Sequence, residues 1–484
     1  MNDLSKAGFE AANVYFSAVC NLRCRYCFQP KIGDIANPIN KDIQKWISSG
    51  NMEKDILCRY GKDIKDISFW GGEPSINLPF IVERIPYYLE TFPELKTFSY
   101  STNMSTKKLV KNTVDFVRAL YENNIRYGRK IKLRLQFSLD GPPEINDYNR
   151  IGAKANTICK NILFLLQELK DIPAEYLQTC IKGTQSSDSL KWLAEGNNFE
   201  KFYMYFDKWQ KRWAQVGALC GIPQGGTYIS LVYPGNFTKE DGLLFAKLLK
   251  KQCSEEFQKN LESKTSTPLI FDNQITERIK GSFSNLRAGY YRDYKGELLN
   301  MCSCSACKTC GGISYDKKFH ICQATYLFNE DIIKYIEDKN LISEFEEKQG
   351  FSFRNFKNVV ADNMVVDYDD DLKLSRLLYK MNTANNNLTM KIQYLEIILS
   401  EMAAAGQISE CYLNPAWRDA AIAFTLFGTS ECPADNIWEF GSSYIRSTSQ
   451  MKLVFNGAFE YYINNFYNDI LNVHVKKEGV KNDK

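Results

Sequence analysis

Three cysteines carry the first chemical signal, in the order Cys20-Asn-Leu-Arg-Cys24-Arg-Tyr26-Cys27. Three thiolates on one tight loop can each bind one iron of a four-iron cluster, which leaves the fourth iron without a protein ligand and open to a reacting molecule. Zinc or buried thiols are the competing readings, yet a structural zinc site wants a fourth Cys or His, and none stands in the next 30 residues. A second group reads Cys302-Ser-Cys304-Ser-Ala-Cys307-Lys-Thr-Cys310, followed by Gly311-Gly312 and, beyond Asp316-Lys317-Lys318, by Cys322. Cys310 and Cys322 flank a predicted β-hairpin turning at 316–318, and the set suits a second metal centre, iron-sulfur or zinc. Cys58, Cys159, Cys180, Cys220 and Cys253 are scattered singly and are read as buried thiols. His320 and His474 are the only histidines, so a three-His zinc site is impossible, and His320 is read as a satisfied polar residue of the hairpin.

Such loops need strand ends to hold them. Period-2 patterns and short β-rich runs predict strands at 14–19, 67–70, 97–101, 131–138, 177–182 and 202–206. The fourth is the clearest, because Ile131, Leu133, Leu135 and Phe137 alternate with Lys132, Arg134, Gln136 and Ser138. Helical patterns lie between the strands. Asn40 is placed as the cap of a helix with Ile43, Trp46 and Ile47 on one face and Gly50 at its end, and Val110, Val114, Val117 and Tyr121 repeat the spacing. Six β-α repeats imply an α/β protein with a parallel sheet, doubly wound or curled into a partial barrel, and in both the ligand sits at the C-terminal strand ends. The expected division is a barrel over 1–208, a bridging α/β region over 209–300, a cysteine-rich segment over 301–330 and a helical C-terminal region over 331–484. The bridge is expected to hold a strand at 228–233 and a helix capped by Thr238 with Asp241 at its third position. In the last region Ile392, Leu395, Leu399 and Met402 share a helical face, while the acidic run Asp367, Asp369, Asp370, Asp371 reads as a solvated loop and 476–484 as a frayed tail.

Composition narrows the class. Lys plus Arg number 61 and Asp plus Glu 57, a net +4, so no long-range field recommends nucleic acid or membrane as a partner. No apolar run approaches the roughly 18 residues of a spanning helix, and the N-terminus lacks the basic and apolar regions of a signal peptide. Fifteen cysteines, an odd and clustered set, then fit metal ligation in a reducing compartment better than disulfides, and a cytoplasmic location is expected.

The Cys20/Cys24/Cys27 spacing, with aromatic Tyr26 before the third cysteine, resembles the signature of the radical S-adenosylmethionine (SAM) superfamily. Further matches follow in that family's order. Phe69-Trp70-Gly71-Gly72-Glu73-Pro74 resembles the GGEP element that holds the amino group of SAM, and two glycines with a carboxylate suit an ammonium. Ser101-Thr102-Asn103 stands where relatives often carry Thr-Asn-Gly, with Met104 in the glycine's place. Ser138-Leu139-Asp140-Gly141-Pro142, then Asn146-Asp147 and Arg150, resembles the ribose and carboxylate contact segment of the peptide-modifying branch, with Asn146 in place of the usual His. The 302–322 segment resembles the auxiliary-cluster hairpin of the SPASM and twitch subfamilies. Lys317 takes the usual glycine position there, and downstream only Cys411 and Cys432 remain. The resemblance implies a partial (β/α)6 TIM-like barrel and two kinds of cluster. The first is a SAM-binding 4Fe-4S cluster on Cys20, Cys24 and Cys27. The second is one auxiliary 4Fe-4S cluster on Cys322 and three of Cys302, Cys304, Cys307 and Cys310, with zinc as the alternative.

The same resemblance implies reductive cleavage of SAM to a 5′-deoxyadenosyl radical that abstracts hydrogen from substrate, with a flavodoxin- or ferredoxin-type protein supplying the electron. The expected substrate is a ribosomal precursor peptide or a protein side chain, gripped by the barrel mouth, the hairpin or the helical region. A dehydrogenase or isomerase acting on a small molecule is the alternative, and a non-enzymatic iron-sulfur or zinc scaffold is a more remote one.

Overall fold

In the computed structural model, the described residues are 10–16, 19–27, 33–220, 224–231, 237–262, 310–315, 318–320, 330–343, 365–367, 388–428 and 451–466, with Ile222, Lys264, Phe353 and Lys357. Alternating side chains give each strand one apolar and one polar face. Six strands result, β1 Ala11–Tyr15, β2 Asp66–Trp70, β3 Thr97–Thr102, β4 Lys132–Ser138, β5 Leu177–Gln185 and β6 Gln224–Leu231. All pair in parallel, each with the next in sequence. A doubly wound sheet reverses its strand order part-way, whereas this one does not, so the winding is that of a partial barrel.

The apolar faces hold the core. Val14, Ile67, Phe69, Phe98, Leu133, Leu135, Phe137 and Ile181 are buried. Phe16, Phe69 and Phe98 stack with centroids 5.3 and 5.6 Å apart, and Phe116 of the helix Lys107–Tyr127 meets the last two edge-on. That helix presents Val110, Val114 and Val117 inward as expected. Its first turn is capped by the Thr106 hydroxyl, and it stops at left-handed Gly128.

Four expectations need correction. The first strand lies three residues earlier than read, over Ala11–Tyr15 rather than 14–19. Residues 202–206 are not a strand but part of the helix Asn198–Cys220, where buried Phe199, Phe202, Tyr203, Phe206, Trp209 and Trp213 follow a helical period that outweighs local β preference. The sixth strand is β6, over 224–231, which takes up most of the strand expected at 228–233 in the bridging region, so the sheet continues past residue 208. Asn40 lies inside the helix Gly33–Ser48 rather than capping it. The expected capping box does form, with the Asp241 amide donating to Thr238 Oγ1 at 3.2 Å and the Thr238 amide to Asp241 Oδ2 at 2.9 Å.

The predicted hairpin forms as well. β7, Cys310–Ser314, and β8, Lys318–His320, are antiparallel, and β9, Val365–Asp367, adds to β8. β7 also lies parallel to β1, pairing Ala11 with Cys310 and Tyr15 with Ser314, so the hairpin extends the barrel sheet. Beyond it the described chain is mainly helical, with Glu330–Asp338, Leu388–Ala404, Pro415–Gly428 and Ala458–Phe466. Leu399 and Met402 are buried and Leu395 half-buried, as their shared face requires. Cys302, Cys304, Cys307, Cys322, residues 369–371 and the tail lie outside the described residues. Among the described residues no helix is long and apolar enough to cross a membrane.

Candidate active site

The loop after β1 is fixed before any ligand arrives. Leu22 is buried, and Arg23–Cys24 forms a short antiparallel pair with Arg150–Ile151, placing Cys24 opposite Arg150. The Arg25 amide donates to the Asn149 carbonyl at 2.8 Å, and its guanidinium sits 4.2 Å from the centre of the Tyr148 ring. The Cys27 amide donates to the Cys24 carbonyl at 3.1 Å, closing the turn that brings these two thiols to one side. Cys20, Cys24 and Cys27 are half-buried and border one cavity of about 550 Å³.

Burial pushes the Cys20 thiol up to about 12, with Glu73, Cys24 and Cys27 adding to the rise, and the Cys24 thiol up to about 11, where Arg150 works against the rise and Cys27 and Asp140 add to it. A cation would offset that rise, so metal binding here would release protons. Among the described residues no three His, Cys, Asp or Glu side chains converge on a single ion. A four-iron cluster does not ask this of its cysteines, since each binds a different iron, and three thiols facing one cavity fit it better than they fit zinc.

The β2 end supplies the opposite wall. Gly71 sits at φ 145°, a conformation that favours glycine and lets bare backbone line the cavity beside Gly72 and Pro74. Glu73 is buried. Its Oε1 accepts from the Ser75 amide at 3.2 Å and from the Ser75 hydroxyl, and its Oε2 from the Asn103 amide at 2.9 Å, which joins the ends of β2 and β3. Burial raises its carboxyl above the usual range, and these donors work against the rise. Asn103 reaches the cysteine loop through a 3.0 Å bond from Nδ2 to Asn21 Oδ1. Met104, in the position where the resembled family carries glycine, adopts a left-handed φ of 48° while fully buried.

At the β4 end Ser138 and Arg150 border the cavity and Asp140 does not. The Asp140 carboxylate instead accepts from Tyr26 Oη at 2.7 Å and Arg150 Nη2 at 3.0 Å. Burial would lower the arginine's proton affinity, but the negative forms of Asp140, Tyr26 and Cys24, with the hydrogen bond to Asp140, together outweigh it and keep the guanidinium charged. Arg150 Nε is buried with no partner, an orphaned donor at the cavity wall. The usual His is replaced by Asn146, whose Oδ1 accepts from the Asp140 amide at 3.2 Å. The fit to SAM is therefore chemical as well as positional: a free cationic donor, exposed backbone and a carboxylate ring one pocket beside three thiols.

Sequence reasoning missed the inner wall. The Ser99 hydroxyl donates to Ser68 Oγ at 2.8 Å and the Ser101 hydroxyl to Gln136 Oε1 at 2.8 Å, forming a polar ladder across β2, β3 and β4. Cys180, read as a buried thiol, borders the cavity and accepts from Gln136 Nε2 at 3.7 Å. The alternation in each strand signalled this polar face, but not that it encloses a cavity. Cys58 also departs from expectation and is exposed. Of the second cysteine set, Cys310 is placed at the start of β7.

A family profile for the Radical SAM superfamily matches residues 14–172, the stretch that carries the cysteine loop, the Gly71–Gly72–Glu73 turn, Asn103, Ser138 and Arg150 of this cavity, whereas the β5 wall lies beyond it. Residues 14–172, about a third of the chain, thus match that superfamily of enzymes. SAM and a 4Fe-4S cluster are the cofactors this match implies. Among curated proteins, a cysteine-type anaerobic sulfatase-maturating enzyme of Clostridium novyi is 24% identical over 345 residues, covering 68% of this chain and 77% of that protein. One of the same description from Clostridium perfringens is 22% identical over 225 residues, covering 46% of this chain and 55% of that one. Among solved structures, Streptococcus suis SuiB bound to S-adenosylmethionine is 14% identical with a TM-score of 0.34, over 67% of this chain and 61% of SuiB.

Proposed function

We propose that this protein is a radical SAM enzyme, which reductively cleaves SAM and abstracts hydrogen from a peptide or protein substrate, in the manner of a peptide maturase. The observation that carries the first half is the convergence of Cys20, Cys24, Cys27, the Gly71–Gly72–Glu73 turn and Arg150 on one cavity at the C-terminal ends of parallel strands. Cys20, Cys24 and Cys27 would hold the cluster. Arg150, which borders the cavity, would meet the SAM carboxylate, and Glu73, which keeps lone pairs beyond those engaged by Ser75 and Asn103, would help accept the ammonium. When bound, cluster and SAM supply one-electron cleavage of a C–S bond and the hydrogen abstraction that follows. Ser138, Asn103 and the backbone around Gly71 orient the cofactor, while the apolar core beneath keeps water from the far side of the strands.

The peptide substrate is supported by the two curated relatives, both described as maturating sulfatases, which are themselves proteins. A low-potential flavodoxin- or ferredoxin-type carrier would supply the electron, and the Cys302–Cys322 segment would hold one auxiliary 4Fe-4S cluster. The test is anaerobic. Reconstituted protein with dithionite should convert SAM to 5′-deoxyadenosine and methionine, and Cys24→Ala should abolish this, because losing one thiolate uncaps a second iron. With perdeuterated cysteine-containing sulfatase peptides, deuterium should appear in the 5′-deoxyadenosine. Cleavage that survives Cys24→Ala would overturn the cluster assignment, and cleavage without deuterium transfer would turn the reading from sulfatase-like peptides to another substrate.

A further inference from the structure

Asp140 lies in the segment whose resemblance points to cofactor contact, yet it is fully buried and does not border the cavity. Its polar atoms are engaged by four parts of the chain. Oδ1 accepts from Arg150 Nη2 at 3.0 Å and from the Thr184 amide at 2.9 Å, and Oδ2 accepts from the Tyr26 hydroxyl at 2.7 Å. Its amide donates to Asn146 Oδ1 at 3.2 Å, and its carbonyl accepts from Gln185 Nε2 at 3.1 Å. One residue at the end of β4 thereby ties together the end of β5, the cysteine loop and the segment that delivers Arg150. The Tyr26 ring lies 5.7 Å from that guanidinium, which is charged, nearly buried and left with a partnerless Nε.

We infer that Asp140 is a positioning residue rather than a cofactor ligand: it clamps Arg150 and Tyr26 at the cavity wall so that the arginine's remaining donors face the carboxylate of SAM. The inference rests on the SAM reading above. Its physical basis is the planar guanidinium, in which fixing one nitrogen on a buried carboxylate fixes the direction of the others. Removing the carboxylate leaves a buried cation with no counter-charge, which then has every reason to turn toward water.

The discriminating experiment is a double-mutant cycle on SAM affinity, measured by equilibrium dialysis against anaerobically reconstituted protein. Asp140→Ala should weaken binding about 10- to 100-fold, the equivalent of one or two charge-assisted hydrogen bonds, and Arg150→Ala should do the same. In the Arg150→Ala background, Asp140→Ala should add less than about twofold, because its effect travels through the arginine. Asp140→Asn, which keeps an oxygen for Arg150 and Thr184, should recover most of the affinity. The change that SAM causes in the EPR spectrum of the reduced cluster should follow the same order, with iron content constant across the set. Multiplicative losses in the cycle would show direct contact between Asp140 and the cofactor and overturn the proposal, as would unchanged affinity in Asp140→Ala. Should Asp140→Ala fail to retain iron, Asp140→Asn is read by itself, and a loss of SAM affinity as large as that of Arg150→Ala, with iron retained, is equally fatal. A wild-type protein that binds no SAM at all would instead refute the function on which the inference stands.

Discussion

Met104 shows how one side chain can be held against its own backbone preference. A left-handed φ costs a non-glycine residue about 1–2 kcal/mol, whereas the fully buried methionine side chain is worth about 2–5 kcal/mol in packing. Packing wins, so Met104→Gly, although it restores the residue that the resembled family often carries, should destabilise the protein by about 1–3 kcal/mol in denaturant unfolding. A stabilised variant would mean that strain, not packing, dominates here. Glu73 makes a complementary case. Glu73→Gln keeps the shape but turns one acceptor into a donor facing either Ser75 or Asn103, so SAM affinity should fall by about 1–3 kcal/mol while iron is retained. Both residues could be singled out in the sequence because their motifs are local. The actual engagement of Asp140 could not, since its partners Tyr26, Arg150 and Thr184 lie on three other segments and leave no periodic trace.

Elements were legible where one period dominated. β4 alternates cleanly and was found to within a residue, and the helix Lys107–Tyr127 carries its cap, its apolar face and its terminal glycine in the sequence. β6 was displaced because it opens on Gln224-Gly-Gly, which carries no β signal, while Phe202-Tyr-Met-Tyr-Phe206 carries a strong one that its helical neighbours overrule. The helix Lys239–Cys253 depends on closeness that only glycine allows. A Cβ on Gly242 would lie 2.2 Å from the Lys452 carbonyl oxygen, so the C-terminal segment rests directly on that helix backbone. Alanine would gain up to about 1 kcal/mol in helix propensity, but a backbone oxygen cannot step aside as a side chain can. Gly242→Ala should therefore lower stability by about 1–3 kcal/mol and speed proteolysis of 451–466, measured side by side on the full chain. Unchanged digestion there would mean that the segment is held by other contacts.

Across the whole molecule, β7 links the two cysteine groups through β1. Because β7 runs parallel to β1 with Cys310 beside Ala11, Cys310 stands at the opposite end of β1 from the loop that carries Cys20, about a strand's length, or roughly 15 Å, away. Chemistry at the two ends should separate accordingly. Changing Cys304, Cys307, Cys310 and Cys322 together to Ala should lower bound iron from about eight to about four per chain, as one four-iron cluster is lost. SAM cleavage with dithionite should persist, since the described residues that border the cavity lie on β1 to β5 and the loops after them, whereas turnover of the peptide substrate should fail. Constant iron with loss of zinc would place a structural zinc ion on the hairpin instead. A parent protein with about four irons and no zinc would leave the second group as reduced thiols at the edge of the extended sheet. Loss of SAM cleavage in the quadruple variant, with the first cluster's iron intact, would mean that the hairpin shapes the cavity through β1, and that the two ends of this strand act as one unit.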